Sequence, residues 1–138
     1  PENKFVTMWV GIFDVATSSL TYVDAGHSYA LIKRKDGSFE QLDKGGGLPI
    51  GVDEDCIYKS ETIRIEPGDS VIVVSDGLIE QFDMNSSAAL RKQFEISGVQ
   101  RALARDDGDP LVNIFDAIIA HAGTTQLSDD ATAVLVKW

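Results

Sequence analysis

At 138 residues the chain has the length of one ordinary domain, 1–138, able to bury roughly two thirds of its unfolded surface in a single core. Its composition is globular at 43% hydrophobic, and no apolar run approaches the roughly 20 residues that would span a bilayer. With 12 Lys plus Arg against 22 Asp plus Glu the net charge is −10, which repels phosphate backbones and anionic lipid and sets aside nucleic acid and a membrane as partners of this segment. Cys56 stands alone, so an internal disulfide is excluded; a reducing, cytoplasmic setting is expected, with Cys56 as a small half-buried hydrophobe. No basic stretch followed by an apolar core opens the chain, which begins at Pro1 without a Met.

Strands come first along the chain. "KFVTMWVGIFDV" is nearly continuous in apolar and β-branched residues, the pattern of a strand buried on both faces, with Trp9 and Phe13 in the core. The polar cluster Thr17, Ser18, Ser19 turns it into a second strand, "LTYVDAG". In "YALIKRKDGSFEQL", Asp36 and Gly37 between two strand-like runs give a type I′ hairpin signal. "DKGGGLPIG" is a loop, because Gly45 to Gly47 lose much backbone entropy on ordering and Pro49 has no N–H. "IYKSETIRI" is a further strand, "EPGD" a turn, and Ser70 to Ser75 the next strand, at the spacings of an antiparallel meander.

Beyond Gly77 the period becomes helical. "SSAALRKQFEISGVQRALA" is expected as one helix broken into two at Gly98, with Ser87 and Ser97 as caps. "DPLVNIFDAIIAHAG" reads more clearly as a helix. Asp109 caps it, Pro110 takes the first position, Leu111, Ile114, Phe115, Ile118 and Ile119 share a face, and Gly123 ends it. His121, near its end, suits the negative pole of the helix dipole. "ATAVLVKW" closes the chain as a strand.

Carboxylates gather at two strand ends: Asp76 after "VIVVS", and Asp129 with Asp130 before "ATAVLV". If these strands are antiparallel neighbours, the exit of one and the entry of the other share a sheet edge and the carboxylates converge. Such a cluster repels itself unless a hard divalent cation compensates, and all-oxygen sites take Mg²⁺ or Mn²⁺. The same residues also suit a simple turn at Asp76-Gly77 and a solvated loop at 129–130.

The ordered succession "YVDAGHSYALI", "GGGLPIGV", "IEPGDSVIVVSDGLIEQFD" and "SDDATAVLV" resembles the carboxy-terminal two thirds of the SpoIIE-type branch of the metal-dependent protein phosphatases, the PPM family. The resemblance covers almost the whole chain. It implies an α+β fold, an α-β-β-α sandwich of two stacked antiparallel sheets flanked by helices, here incomplete at the amino terminus. It implies a bacterial serine/threonine phosphatase with a two-metal centre of Mn²⁺ or Mg²⁺. Asp76 of "SDGLIE" is similar to one metal-binding aspartate of that family and Asp129 of "DDAT" to another, while Asp130 takes a place often filled by asparagine.

The family's amino-terminal motif resembling D-x-x-G-H-G, with the aspartate that bridges the metals, is absent; the Gly-His pair here is Gly26-His27. The expectation is therefore a fragment of a longer phosphatase domain that is inactive alone, with a degenerate, non-catalytic interaction module as the other class. The resemblance further implies a phosphorylated anti-anti-sigma-factor-like substrate and an upstream sensory or receiver domain. Sheet positions left uncovered would favour a homodimer. His27 reads either as a proton donor or as a hydrogen-bonded structural residue. Glu80 belongs to the resembling motif without a physical role of its own, and the triple-glycine loop lacks the Lys-Ser or Lys-Thr of a nucleotide-binding loop.

Overall fold

The computed structural model of the chain describes residues 4–138, so the opening Pro1 lies outside the described residues. Seven strands and three helices are found among them. The first compact unit runs to Val71 and includes Val136–Trp138, and the second is Ile72–Leu135. Strands β1 (Met8–Asp14), β2 (Ser19–Ala25) and β5 (Glu61–Arg64) form a three-stranded sheet in the order β1-β2-β5, and β3 (Ala30–Lys33), β4 (Phe39–Gln41), β6 (Ser70–Val74) and β7 (Ala133–Lys137) a four-stranded one in the order β4-β3-β6-β7. The chain thus changes sheet between β2 and β3, between β4 and β5 and between β5 and β6, and the expected simple meander does not form.

In the first unit, β1 (Met8–Asp14) pairs antiparallel with β2 (Ser19–Ala25) over its whole length, and β2 pairs with β5 (Glu61–Arg64). The expectation that β1 is buried on both faces is wrong. As an edge strand it alternates, with Met8, Val10 and Ile12 exposed and Trp9, Gly11 and Phe13 half-buried. Trp9 stacks on Tyr22 at 5.8 Å and donates its ring N–H to the Leu42 carbonyl at 3.2 Å, and Phe13 stacks on Trp138 at 6.0 Å. Both rings are therefore only half inside the core, whose fully buried members here include Leu20, Tyr22, Leu31, Ile32, Leu42 and Ile65. "IYKSETIRI" is strand only over β5.

The hairpin of β3 (Ala30–Lys33) and β4 (Phe39–Gln41) forms as expected, but its turn differs. Arg34 N–H donates to the Ser38 carbonyl at 2.8 Å and Gly37 N–H to the Arg34 carbonyl at 2.9 Å. This makes a three-residue connection with Gly37 left-handed at φ +87°, the shape of a type I turn closed by a bulge and not a two-residue type I′ turn. Asp69 explains the longer loop. Its buried carboxylate accepts from Lys35 N–H at 2.9 Å, Glu66 N–H at 3.0 Å and the Arg34 guanidinium at 3.0 Å, so it organises the hairpin and the "EPGD" turn together. Burial pushes the Asp69 carboxyl up, and the Glu66 N–H, the Arg34 guanidinium and the Lys35 N–H outweigh it and hold the group below the ordinary aspartate range.

In the second unit, β6 (Ser70–Val74) leads into a single helical turn, α1 (Asp76–Ile79). Helix α3 (Pro110–Ala122) matches its sequence signature: Asp109 accepts from Leu111 N–H at 2.8 Å and Val112 N–H at 3.3 Å, Pro110 follows, and Gly123 closes it at φ +71°. The other helical expectation fails in its first half. Only α2 (Glu95–Leu103) forms; Ser97 and Gly98 lie inside it, so neither caps nor breaks a helix, and Ser87 caps none. Upstream, Asp83 accepts from Asn85 N–H at 2.8 Å and from the Ser86 hydroxyl at 2.6 Å, while Phe82 bridges Gln93. Local side-chain bonds and an isolated bridge take the backbone that a helix would have used. The unit's core joins Leu78, Ile79, Phe94, Val99, Ile114 and Ile118. Strand β7 (Ala133–Lys137) ends the described elements.

Candidate functional site

The site is built where β6 ends and β7 begins. Ser75, extended at φ −83° and ψ 163°, stops the strand and starts α1, so that Asp76 opens the helical turn. Ser75 N–H donates to the Thr132 carbonyl at 2.9 Å, and the Ser75 hydroxyl accepts from Thr132 N–H at 2.9 Å and donates to the Asp130 carbonyl at 3.3 Å. These bonds draw "SDG" and "DDAT" together at one sheet edge, as the antiparallel argument expects. Gly77 permits the approach: a Cβ there would overlap the Asp130 carbonyl.

A second clasp comes from Gln81, which is 1% exposed. Its side-chain oxygen accepts from Ser128 N–H at 2.8 Å and its amide donates to the Phe82 carbonyl at 2.8 Å. One buried amide thus ties the loop before Asp129 to the segment after α1. Nothing in the sequence marks Gln81, because an isolated Gln carries no periodic signal. Asp24, buried in the first unit, is unmarked too: it accepts from His27 N–H at 2.7 Å and Ser28 N–H at 2.9 Å and shapes the "AGHS" loop.

Between these clasps lies a cavity of about 240 Å³ lined by Asp76, Gly77, Glu80, Gln81, Phe82, Ser128 and Asp129. Asp76 and Asp129 therefore share one cavity, and Glu80 stands on its wall. Asp130 does not line it; its carbonyl is turned to Ser75 and Gly77. Asp76 Oδ1 accepts from Gly77 N–H at 2.9 Å and Asp129 Oδ1 from Asp130 N–H at 2.7 Å, so each carboxylate is oriented by the next backbone amide. No Lys or Arg lines the cavity, which leaves it strongly anionic. The donors are carboxylate oxygens without His or Cys, a set suited to hard divalent cations. Among the described residues, however, no group of three or more His, Cys, Asp or Glu side chains is gathered closely enough to hold a metal ion. Asp76 and Asp129 fit part of a shell.

Other residues take clear places. His27 packs edge-on to Tyr29 at 6.0 Å, and its buried Nε2 has no hydrogen-bond partner among the described residues. Within the triple-glycine loop, Gly47 N–H is spent on the Asp24 carbonyl at 2.9 Å and Gly46 N–H on the Asp43 carbonyl at 3.2 Å. His121 has a more specific role than the helix dipole: its ring bonds the Lys92 carbonyl at 3.0 Å and packs on Phe94. A larger cavity, about 700 Å³, lies among Arg34, Lys35, Asp36, Arg64, Glu66 and Asp69. Arg34 is paired with Asp69 and Glu40 there, and Arg64 with Glu66.

Two antiparallel sheets with a few helices are the phosphatase fold of the PP2C type. The chain superimposes on the SiaA-PP2C domain of Pseudomonas aeruginosa with a TM-score of 0.74 at 18% identity, covering 96% of this chain and 51% of that one. The phosphatase domain of SpoIIE from Bacillus subtilis, in a form presoaked with Mn, gives 0.68 at 21% identity over 95% and 55% of the two chains. Residues 1–138 match the family model of stage II sporulation protein E (SpoIIE), and the chain belongs to that family. It is 26% identical over 136 residues to the phosphoserine phosphatase RsbU of Bacillus subtilis, covering 98% of this chain and 39% of that protein. The chain thus spans about two fifths of the length of that curated relative. No helix among the described residues is long and apolar enough to cross a membrane.

Proposed function

We propose that residues 1–138 form part of one metal-dependent serine/threonine phosphatase domain. Its substrate is phosphoserine or phosphothreonine on a partner protein, a regulator of the anti-anti-sigma-factor kind. The observation that carries this reading is that Asp76 and Asp129 line one anionic cavity, held there by the Ser75 and Gln81 clasps. The resemblance to a relative named as a phosphoserine phosphatase supports the substrate class.

Asp76 and Asp129 would hold Mn²⁺ or Mg²⁺, with Asp130 adjacent. When bound, the divalent pair would supply a water of lowered pKa and charge stabilisation for in-line displacement at phosphorus. The chain's own contribution is to orient. The Gly77 and Asp130 amides fix the two carboxylates, and Gln81 fixes the loop that carries Asp129. The anionic lining by itself repels phosphate esters, and a cation held by Asp76 and Asp129 would supply the compensating charge. The reading extends to a cytoplasmic protein with a sensory or receiver domain upstream, and to a homodimer in which a second copy covers the outward row Met8, Val10 and Ile12 of β1.

One observation favours a second reading, an interaction module that binds the phosphoprotein without hydrolysing it: among the described residues no three His, Cys, Asp or Glu side chains are gathered closely enough to hold a metal ion. Phosphate release from a phosphoserine protein by the intact protein in Mn²⁺ decides between them. The phosphatase reading expects turnover that Asp76→Asn lowers at least about 100-fold with the melting temperature little changed. Binding of the phosphoprotein with no release of phosphate would establish the module.

A further inference from the structure

The cavity that holds Asp76 and Asp129 has one large apolar wall. Its other lining residues are carboxylates, Ser128, the buried Gln81 amide and Gly77, whereas Phe82 is 42% exposed. An exposed aromatic ring beside an anionic pocket is unfavourable in the free protein, since its surface meets water instead of core. The position is nonetheless firmly set. The Phe82 carbonyl accepts the Gln81 side-chain amide at 2.8 Å, Phe82 bridges Gln93, and the following Asp83 N–H donates to the Lys92 carbonyl at 3.0 Å. The same Gln81 side chain holds Ser128, so the Phe82 backbone and the Asp129 loop are fixed to one another through a single buried group.

We infer that Phe82 is a specificity-determining residue that receives an apolar side chain flanking the phosphorylated serine of the substrate. The inference rests on the phosphatase-fold site proposed above and adds the class of peptide it selects. A phosphoserine reaching the carboxylate side of a cavity of about 240 Å³ brings its neighbouring residues against the walls. The wall formed by Phe82 gains from covering by apolar carbon. Burying roughly 60 Å² of ring at the usual transfer coefficient corresponds to about tenfold in affinity.

The test uses the intact protein with Mn²⁺ and two phosphoserine peptides, identical except that both residues flanking the phosphoserine are Leu in one and Ser in the other. Binding is measured by calorimetry and phosphate release in parallel. The Leu-flanked peptide is expected to bind 5- to 10-fold more tightly, Phe82→Ala to abolish that difference, and Phe82→Leu to keep most of it. Equal binding of the two peptides by the unmodified protein overturns the inference, as does a Phe82→Ala variant that retains the preference. Preferential binding without phosphate release leaves the inference standing and overturns the catalytic reading instead. Because the Phe82 side chain is 42% exposed and the hydrogen bonds here are made by its backbone, Phe82→Ala is expected to fold, which its own circular dichroism checks, and Phe82→Leu tests the preference with most of the apolar surface kept.

Discussion

Ser75 and Thr132 exchange two hydrogen bonds, one from the Ser75 N–H to the Thr132 carbonyl and one from the Thr132 N–H to the Ser75 hydroxyl, both 2.9 Å long. The second depends on a side chain, which makes Ser75 more than the last residue of a strand. It is the piece that joins the two aspartate-bearing segments. Ser75→Ala removes that acceptor and the donor to the Asp130 carbonyl. Thermal unfolding should show a loss of roughly 1–2 kcal/mol. The Mn²⁺ concentration giving half-maximal activity should rise further than a purely structural loss would require, because the two carboxylates no longer share a fixed frame.

Asp129 and Asp130 are adjacent in sequence but separated by the geometry. Asp129 lines the cavity, whereas Asp130 is engaged through its backbone carbonyl, which any residue supplies. Asp129→Asn should therefore reduce Mn²⁺-dependent phosphate release about as severely as Asp76→Asn. Asp130→Asn should cost less than about tenfold. Steady-state kinetics over a Mn²⁺ titration separates the two, and an inactive Asp130→Asn beside an active Asp129→Asn would reverse the assignment.

Gly77 is predicted to be intolerant of any side chain. The volume that a Cβ needs is already occupied by the Asp130 carbonyl, a backbone atom held by the Ser75 hydroxyl. Gly77→Ala gains helix propensity in α1, worth up to about 1 kcal/mol. Displacing packed backbone costs roughly 1–3 kcal/mol, so the clash should win. Chemical denaturation is expected to show net destabilisation, together with weaker Mn²⁺ binding.

These residues also show how much could be read in advance. The approach of the Asp76 and Asp129 segments was legible in part: β-branched runs fix strand ends, and strand ends fix where a following or preceding carboxylate must lie, but a plain turn at Asp76-Gly77 and a solvated loop at 129–130 fitted the same residues, and the family resemblance singled out Asp76 and Asp129. The α3 helix was legible because its cap, its Pro and its terminal Gly each carry a local physical signal. Ser75, Gln81 and Asp69 were not, since each acts through long-range bonds to backbone amides that leave no periodic trace, and Asp24 was not, because its bonds to the nearby His27 and Ser28 amides form a local turn that the alternating strand pattern before it does not mark. The failed helix over 87–94 has the same origin: good helix formers such as Ala88, Ala89 and Leu90 follow a segment in which Asp83 bonds Asn85 and Ser86 and the backbone bridges elsewhere. The expected type I′ turn also yielded to a distant residue, because Asp69 takes the Lys35 N–H and favours the longer connection.

Asp69 makes the acid stability of the chain predictable. The Glu66 N–H, the Arg34 guanidinium and the Lys35 N–H outweigh burial and hold its folded-state carboxyl below the ordinary value of 3.8 that it has when unfolded. The sign follows from proton counting. At pH values between the two, the unfolded chain binds the proton and the folded chain does not, so lowering the pH favours unfolding. The stabilisation is complete above about pH 5, begins to fall as the pH drops through 3.8 and is exhausted only below the folded-state value. Asp14, Asp36, Glu40, Asp83 and Asp107 are lowered as well, so the wild-type curve alone does not isolate Asp69. Comparison with Asp69→Asn does. The variant should be less stable by roughly 1.5–3 kcal/mol at pH 7, where the bond from Arg34 loses its negatively charged acceptor and only one of the two side-chain oxygens still accepts. The gap should narrow in urea denaturation as the pH is lowered through 3.8, because protonation removes from the wild type the same charge that the substitution removes permanently. A gap that stays constant from pH 7 to pH 3 would show that the Asp69 charge contributes nothing to folding and that its shape alone supports the turn.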